Sequence, residues 1–368
     1  MKATIVTTTV NIPSFLGGYQ KNANQFGQDV NFIVVGDYKS AARTAEYCAT
    51  IPNCLYLDLP SQRDYLTRFP TLREHLPINS VERRNVGMML AYTTGADVII
   101  TLDDDNLATD QDAIGHHRIV GTTVTLPTYG SSSGWFNVCS FLKEESDVEF
   151  YHRGYSPKNR WADSFVTMQP ERRKVVVNAG FWLDDPDVDA TTRLERKVRV
   201  TGYKSGWPGT IALARGTWTP FDCQNTALTR EIIPAYFLSP YIGRHSDIFA
   251  SYVINRLAEH FNHAIAFGDP WVLHDRHSHN LWKDLDVERE GMQLTDGFCD
   301  ALRKIDIAAD GYHQGFGEII SGLNAWARSE TQQRIVEGMR LWHGAFEVLE
   351  GTMKEAPITD IISGETKE

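Results

Sequence analysis

Ala96-Asp97-Val98-Ile99-Ile100-Thr101-Leu102-Asp103-Asp104-Asp105-Asn106 is the stretch whose reading sets the fold. Residues 96–102 form an almost continuous apolar run, the pattern of a strand buried on both faces of a parallel sheet. The run stops at three adjacent carboxylates. Such carboxylates repel one another unless a cation neutralises them, and hard divalent ions take oxygen ligands. If the strand continues, side-chain alternation puts Asp103 and Asp105 on one side. Upstream, residues 3–10, 31–35 and 55–57 read as strands, with room for a helix between the first two. Asn79 and Glu82 stand at capping-box spacing before a helix that runs to about Thr94 and is closed by Gly95. Strands alternating with helices predict an α/β fold with ligands at the carboxyl ends of its strands.

Composition narrows the rest. The chain has 368 residues, 42% hydrophobic and 23% charged, as expected of a globular protein of about two domains. Lys and Arg number 36 against 47 Asp and Glu, a net charge of −11. Binding along a nucleic-acid backbone is built on surplus cations, so no nucleic-acid partner is expected. A small anion held through a metal stays compatible with that charge. The cysteines (Cys48, Cys54, Cys139, Cys223 and Cys299) are odd in number and lack CxxC spacing. That argues against a disulfide framework or structural zinc, and predicts buried free thiols in a reducing cytosol. No apolar run reaches the ~18 residues of a membrane span, and the N-terminus lacks the apolar core of a signal peptide. The expectation is a soluble, cytoplasmic protein with no membrane span.

Residues 121–216 mix Gly, Pro, Trp and Tyr with short strands such as 175–177 and 198–200. Residues 246–260 read as an amphipathic helix, and a strand over 264–272 leads into a histidine-rich turn at 274–279. From about residue 293 the pattern is helical, with stripes that include Ile319, Leu323, Ile335, Trp342 and Phe346. These stripes would cover the preceding domain or pair with another chain. The last dozen residues are polar and expected to fray.

Placed after a buried strand about a hundred residues into an α/β chain, Asp103-Asp104-Asp105 resembles the Asp-x-Asp signature of GT-A nucleotide-sugar glycosyltransferases. Asp103 and Asp105 are then candidate metal ligands, Asp104 a substrate contact, and Mn²⁺ or Mg²⁺ the expected cofactor. Thr8, Thr9 and Asp37 follow predicted strands where such folds contact the nucleoside. Arg84, at a helix start, suits a diphosphate or base. The fold class expected is a GT-A-like, Rossmann-like mixed sheet flanked by helices over 1–290, with a helical extension over 291–368.

Arg153-Gly154-Tyr155-Ser156-Pro157-Lys158-Asn159-Arg160 closely resembles the Arg-Gly-Tyr-x4-Arg segment of the reversibly glycosylated polypeptides, the UDP-arabinopyranose mutase family. The likeness continues in residues 180–190, where Pro186-Asp187-Val188-Asp189-Ala190 stands for that family's Pro-Asp-Tyr-Asp-Ala. It continues again in Asn225-x-Ala227, Arg230-Glu231 and Gly243-Arg244-x-x-Asp247. The resemblance implies that Arg153 is reversibly glycosylated by the nucleotide sugar and that Arg160 is needed for activity. It implies a metal-assisted interconversion of the pyranose and furanose forms of a UDP-sugar, UDP-arabinose in plant members, and a homo-oligomer. His274 is the candidate third metal ligand, with His277 and His279 as rivals.

A guanidinium with a pKa above ~12 is a poor nucleophile. Arg153 therefore needs a carboxylate beside it, and Asp187, Asp189 and Asp247 are the candidates. Asp247, at the start of a helix, sits where GT-A enzymes often place the acidic residue facing the acceptor. Trp182 is a candidate for stacking on sugar or base, with core packing the alternative. Asp187 and Asp189, as turn carboxylates that would hydrogen-bond sugar hydroxyls, and Asn225 complete the expected substrate contacts. The first 80 residues share little with the family beyond the strand pattern. Asp184, Asp185, Val188, His245 and Ser246 depart from it where the sugar should bind. A glycosyltransferase of the same fold, acting on a small-molecule or protein acceptor, is the competing reading. A binding subunit without activity is the third, opposed by the intact triplet and arginine pair.

Overall fold

Four parallel strands build one half of the sheet: β1 (Ala3–Thr9), β2 (Val30–Gly36), β3 (Cys54–Leu57) and β4 (Val98–Leu102), in the order β3-β2-β1-β4. The computed structural model describes residues 2–38 and 43–355, and the polar C-terminal tail lies outside them. Val6, Val35, Val98, Ile99 and Leu102 are almost wholly buried, and each such side chain contributes about 1.5–3 kcal/mol. The helix Phe15–Phe26 links β1 to β2, and the helix Arg84–Thr93 precedes β4. Gly87 lets the second helix lie flat on the sheet, since a Cβ there would meet Val6 at 2.7 Å and Val35 at 2.8 Å.

The other half is mixed. Its strands are β5 (Asn106–Ala108), β6 (Thr123–Ser131), β7 (Leu142–Glu144), β8 (Val166–Asp184), β9 (Val200–Tyr203), β10 (Ile211–Leu213), β11 (Thr226–Thr229) and β12 (Ala264–His274). β11 joins the halves, antiparallel to both β4 and β8. β8 is one long strand where the sequence suggested a short one. Its polar first half, 166–174, pairs with β6, and its apolar second half pairs with β11 and β12. The result is the mixed sheet flanked by helices that was expected, with the acidic triplet at the carboxyl end of β4.

The helix Ser246–His260 has the bounds its periodicity predicts. The helical region begins earlier than expected, because the helix Leu281–Arg303 runs unbroken across the 290/291 division. It continues through Tyr312–Gly322 and Glu330–Glu355. Ile319, Leu323, Ile335, Trp342 and Phe346 are buried, so these stripes cover the domain. The cysteines are free, all buried except the half-buried Cys54. Among the described residues no helix is long and apolar enough to cross a membrane.

Candidate active site

A cavity of about 350 Å³ opens at the carboxyl ends of β1, β2 and β4. Thr8, Thr9, Asp37, the acidic triplet, Asp187, Arg193, Arg244, His274 and Arg276 line it. A smaller one, about 100 Å³, is lined by Arg84, Arg153, Cys223 and Asp247. The two share Val81, Asp103, Gln224 and Arg244 as walls.

The strand ends at Leu102, so the triplet sits in a turn and strand alternation does not set its side chains. Asn106 ties the turn by accepting the Asp103 N–H at 3.0 Å. Each carboxylate then takes a different partner. Asp103 is ion-paired with Arg84. Asp104 accepts from the Thr9 hydroxyl at 2.9 Å. Asp105 faces His274 Nε2 at 3.3 Å, because β12 pairs with β5 and sets His274 opposite Asn106.

The His274 ring is fixed from behind. Its Nδ1 lies 2.6 Å from the Asp185 carbonyl, which can only accept, so Nδ1 carries a hydrogen and Nε2 is the atom turned to Asp105, donating to it when protonated and free to ligate a cation when not. This is the orientation of a metal-ligating histidine. Asp105 Oδ1 is buried and has no hydrogen-bond partner among the described residues. Burial opposes ionisation of Asp105, but His274 outweighs it and holds the carboxyl below its usual range. Asp105 and His274 thus fit a divalent cation, with Asp103 beside them on the same wall. His277 is 3.6 Å from Asp104, and His279 bonds Asp284 at 3.3 Å.

Arg153 is clamped between two carboxylates. Its Nε donates to Asp187 at 2.9 and 3.1 Å, and Nη2 donates to Asp187 at 2.8 Å. Nη1 and Nη2 donate to Asp247 at 3.0 Å each, and Nη1 also reaches the Arg244 carbonyl. The residue is 4% exposed. Burial works against its charge, but Asp187 and Asp247 raise its pKa well above the ordinary value. In return Arg153 overcomes burial to hold both carboxyls below their usual range.

Arg160 is held by the same segment two residues on. It pairs with Asp189, and its guanidinium lies 5.4 Å from the Tyr151 ring centre. Asp189 also caps the helix Ala190–Glu195 through the Thr192 N–H at 2.8 Å. Asp187 and Asp189 therefore seat both arginines, and neither Arg160 nor Asp189 lines either cavity.

The other expected contacts divide. Thr8 and Thr9 line the larger cavity. Asp37 does too, where it accepts the Asn79 and Ser80 N–H groups at 2.7 and 2.9 Å and shapes the rim. Arg84 is turned inward to Asp103, Thr8 and the Leu102 carbonyl rather than toward the larger cavity. Trp182 lines neither cavity. It is 2% exposed and packs its ring 5.1 Å from that of His152. Asn225 also lies outside both, donating to the Pro270 carbonyl at 2.7 Å and bonding His117 at 3.2 Å.

Sequence reading missed Arg193 and Arg276, which line the larger cavity near Arg244. A cation inside the histidine-rich turn was the available signal for Arg276. It also missed His152 and Asp222, which with Asp187 bring donor atoms within 4.8 Å of one another in the interior.

Residues 5–315 match the family model of the reversibly glycosylated polypeptides. The chain is 31% identical over 154 residues to UDP-arabinopyranose mutase 1 of Arabidopsis thaliana, which is 39% of this chain and 42% of that protein. It is 27% identical over 180 residues to the probable UDP-arabinopyranose mutase 1 of Zea mays, 46% of this chain and 48% of that one. These alignments span less than half of the relatives' length. Glucosyl-3-phosphoglycerate synthase of Mycobacterium tuberculosis, solved with Mn²⁺, UDP and phosphoglyceric acid, is 9% identical with a TM-score of 0.40. That alignment covers 81% of this chain and 78% of the synthase, a likeness too distant to inform the site. The match over residues 5–315 decides the matter of descent: the chain belongs to the reversibly glycosylated polypeptide family.

Proposed function

We propose that this chain is a nucleotide-sugar mutase. It interconverts the pyranose and furanose forms of a UDP-sugar of the UDP-arabinose class through a reversible glycosyl-Arg153 adduct. One observation carries the reading: a buried guanidinium, gripped by Asp187 and Asp247, stands in the wall of a small cavity that shares Asp103 with a nucleotide-sized one. A purely structural arginine needs no such opening. The similarity to UDP-arabinopyranose mutases supports the substrate class.

The nucleotide takes the larger cavity, with the nucleoside toward Thr8, Thr9 and Asp37. Arg193, Arg244 and Arg276 face the diphosphate. Asp105, His274 and Asp103 hold a divalent cation, Mn²⁺ or Mg²⁺, which when bound acts as a Lewis acid on the departing diphosphate. The sugar enters the smaller cavity against Arg153. As the C1–O bond breaks, UDP keeps the bonding pair and Arg153 Nη1 forms the C1–N bond. The displaced Nη1 proton passes to Asp247 Oδ1, 3.0 Å away. The adduct keeps its guanidinium charge, and Asp187 keeps it oriented through Nε and Nη2. Ring opening at the N-linked C1 and closure through another hydroxyl change the ring size. Return of UDP takes C1 back, and Asp247 returns the proton. Arg160 acts by positioning, since its charge is spent on Asp189. We place the chemistry in the 1–290 part, with the helical region as its cover.

Incubation with UDP-arabinopyranose and Mn²⁺, followed by chromatography for the furanose form, tests the reading. Asp105→Ala or a chelator should remove metal-dependent turnover. Product that forms only when an acceptor is added would replace the mutase by a transferase.

A further inference from the structure

We propose that His152 and Asp222 share one trapped proton behind Arg153 and serve as a positioning pair for it. The link to turnover rests on the reading of Arg153 above; the shared proton itself does not.

Both side chains are 2–3% exposed. His152 Nδ1 lies 2.7 Å from the Arg153 carbonyl oxygen. A carbonyl can only accept, so Nδ1 bears a hydrogen. The other nitrogen, Nε2, faces Asp222 Oδ2 at 3.5 Å. That oxygen is buried and has no hydrogen-bond partner among the described residues. A neutral ring and an ionised carboxylate would set two acceptors against each other in a dry interior. One proton resolves the clash, on either Nε2 or the carboxyl. Oδ1 of Asp222 accepts the Gln224 N–H at 2.9 Å, which fixes the carboxyl plane.

Surrounding charges favour the same state. Asp187, ionised against Arg153, lies within 4.8 Å of both groups. Asp247 adds a second negative charge nearby, and the Cys139 thiol and Tyr236 phenol that also face Asp222 are neutral, burial holding both up. Burial pushes Asp222 up to about 7. Burial works against His152, but Asp222 outweighs it and raises the ring's pKa.

While the proton is held, the pair adds no net charge beside Arg153. Once it is lost, a third negative charge acts on a single guanidinium. His152 thus anchors the Arg153 backbone through Nδ1, while the charge carried by Asp222 acts on the neighbouring Arg153–Asp187 pair. A divalent metal among His152, Asp187 and Asp222 is the rival occupant. It is disfavoured because both Asp187 oxygens already accept from the guanidinium.

The test is a histidine-nitrogen NMR titration of the full chain between about pH 5.5 and 9, with His152 assigned by its proximity to the Trp182 ring. The expected signal keeps Nδ1 protonated throughout and shows Nε2 titrating above the ordinary ~6.5. Asp222→Asn should lower that pKa below the ordinary value and shift the Arg153 Nε–H resonance. In turnover, the wild type should lose activity as pH rises through the pair's titration. The Asn variant should show a several-fold lower kcat, an unchanged KM and no such limb. A His152 hydrogen on Nε2 alone, or an Nε2 signal that moves on adding Zn²⁺ and returns with chelator, overturns the proposal. So does an Asn variant with unchanged Arg153 resonance and pH profile. If that variant does not fold, the wild-type titration decides alone. Absence of any Arg153 adduct in a protein that shows the shared proton would sink the mutase reading and leave the pair standing.

Discussion

At the scale of single residues, Arg153 and Arg160 look alike in sequence and differ in placement. Arg153 borders a cavity and is held by carboxylates from two sides; Arg160 pairs with Asp189, lies over the Tyr151 ring and lines neither cavity. Removing the proposed proton acceptor should therefore hurt most: Asp247→Asn is expected to slow adduct formation by about 10²- to 10⁴-fold, read by quenched-flow mass spectrometry. Asp187 and Asp247 titrate below their unfolded values because Arg153 outweighs burial. Their contribution to stability is present above about pH 3.9 and is lost as pH falls through the folded values. Melting temperature should thus drop steeply below about pH 4, and Asp187→Asn should flatten that limb. The arginines and carboxylates were legible because they stand in motifs with fixed spacing, whereas His274 was singled out only by a histidine-led turn whose spacing slips by one residue, with His277 and His279 as rivals. His152 and Asp222 were not, since contacts across 70 positions leave no periodic trace.

Among the elements, β4 and its acidic turn were readable from one apolar run. What the run could not give was the partner of each carboxylate, because those partners come from β1, the helix Arg84–Thr93 and β12. β8 was half hidden: its polar first half is a ribbon with β6, and no alternation marks it as a strand. Trp182 and Asn225 carry residue types typical of sugar sites, yet β8 turns one into the core and β11 begins at the other's buried amide. His117 gives this core a pH signature. Asn178 donates to its Nδ1 and Asn225 accepts at Nε2, so the ring is held neutral. Burial lowers its pKa to about 4. The unfolded chain binds this proton near 6.5 and the folded chain does not. Stability should therefore fall as pH drops from about 6.5 to 4, by at most roughly 3 kcal/mol. Denaturant melts of His117→Gln should show a smaller slope across that window. Asp189→Ala should cost about 1 kcal/mol for the lost cap and more for a stranded Arg160.

Across the whole molecule, the −11 charge argues against binding along a nucleic-acid backbone but conceals a local reversal. Arg193, Arg244 and Arg276 gather at the larger cavity, which the acidic triplet also lines. The last helix, Glu330–Glu355, packs on the parallel half through Phe346, 5.0 Å from the Tyr92 ring, and buries Trp342 5.5 Å from the Phe237 ring. Trp342→Ala should destabilise the fold by about 3–5 kcal/mol while leaving adduct formation per folded molecule intact, as chemical melts with burst titration would show. The central claim concerns one nitrogen atom. Intact-mass and peptide mapping after incubation with UDP-arabinopyranose and Mn²⁺ addresses it most directly. The account predicts one pentosyl residue on the peptide bearing Arg153, removed by added UDP and absent in Arg153→Lys, which also loses interconversion. Full interconversion by Arg153→Lys, or a pentosyl group on any other residue, would contradict it.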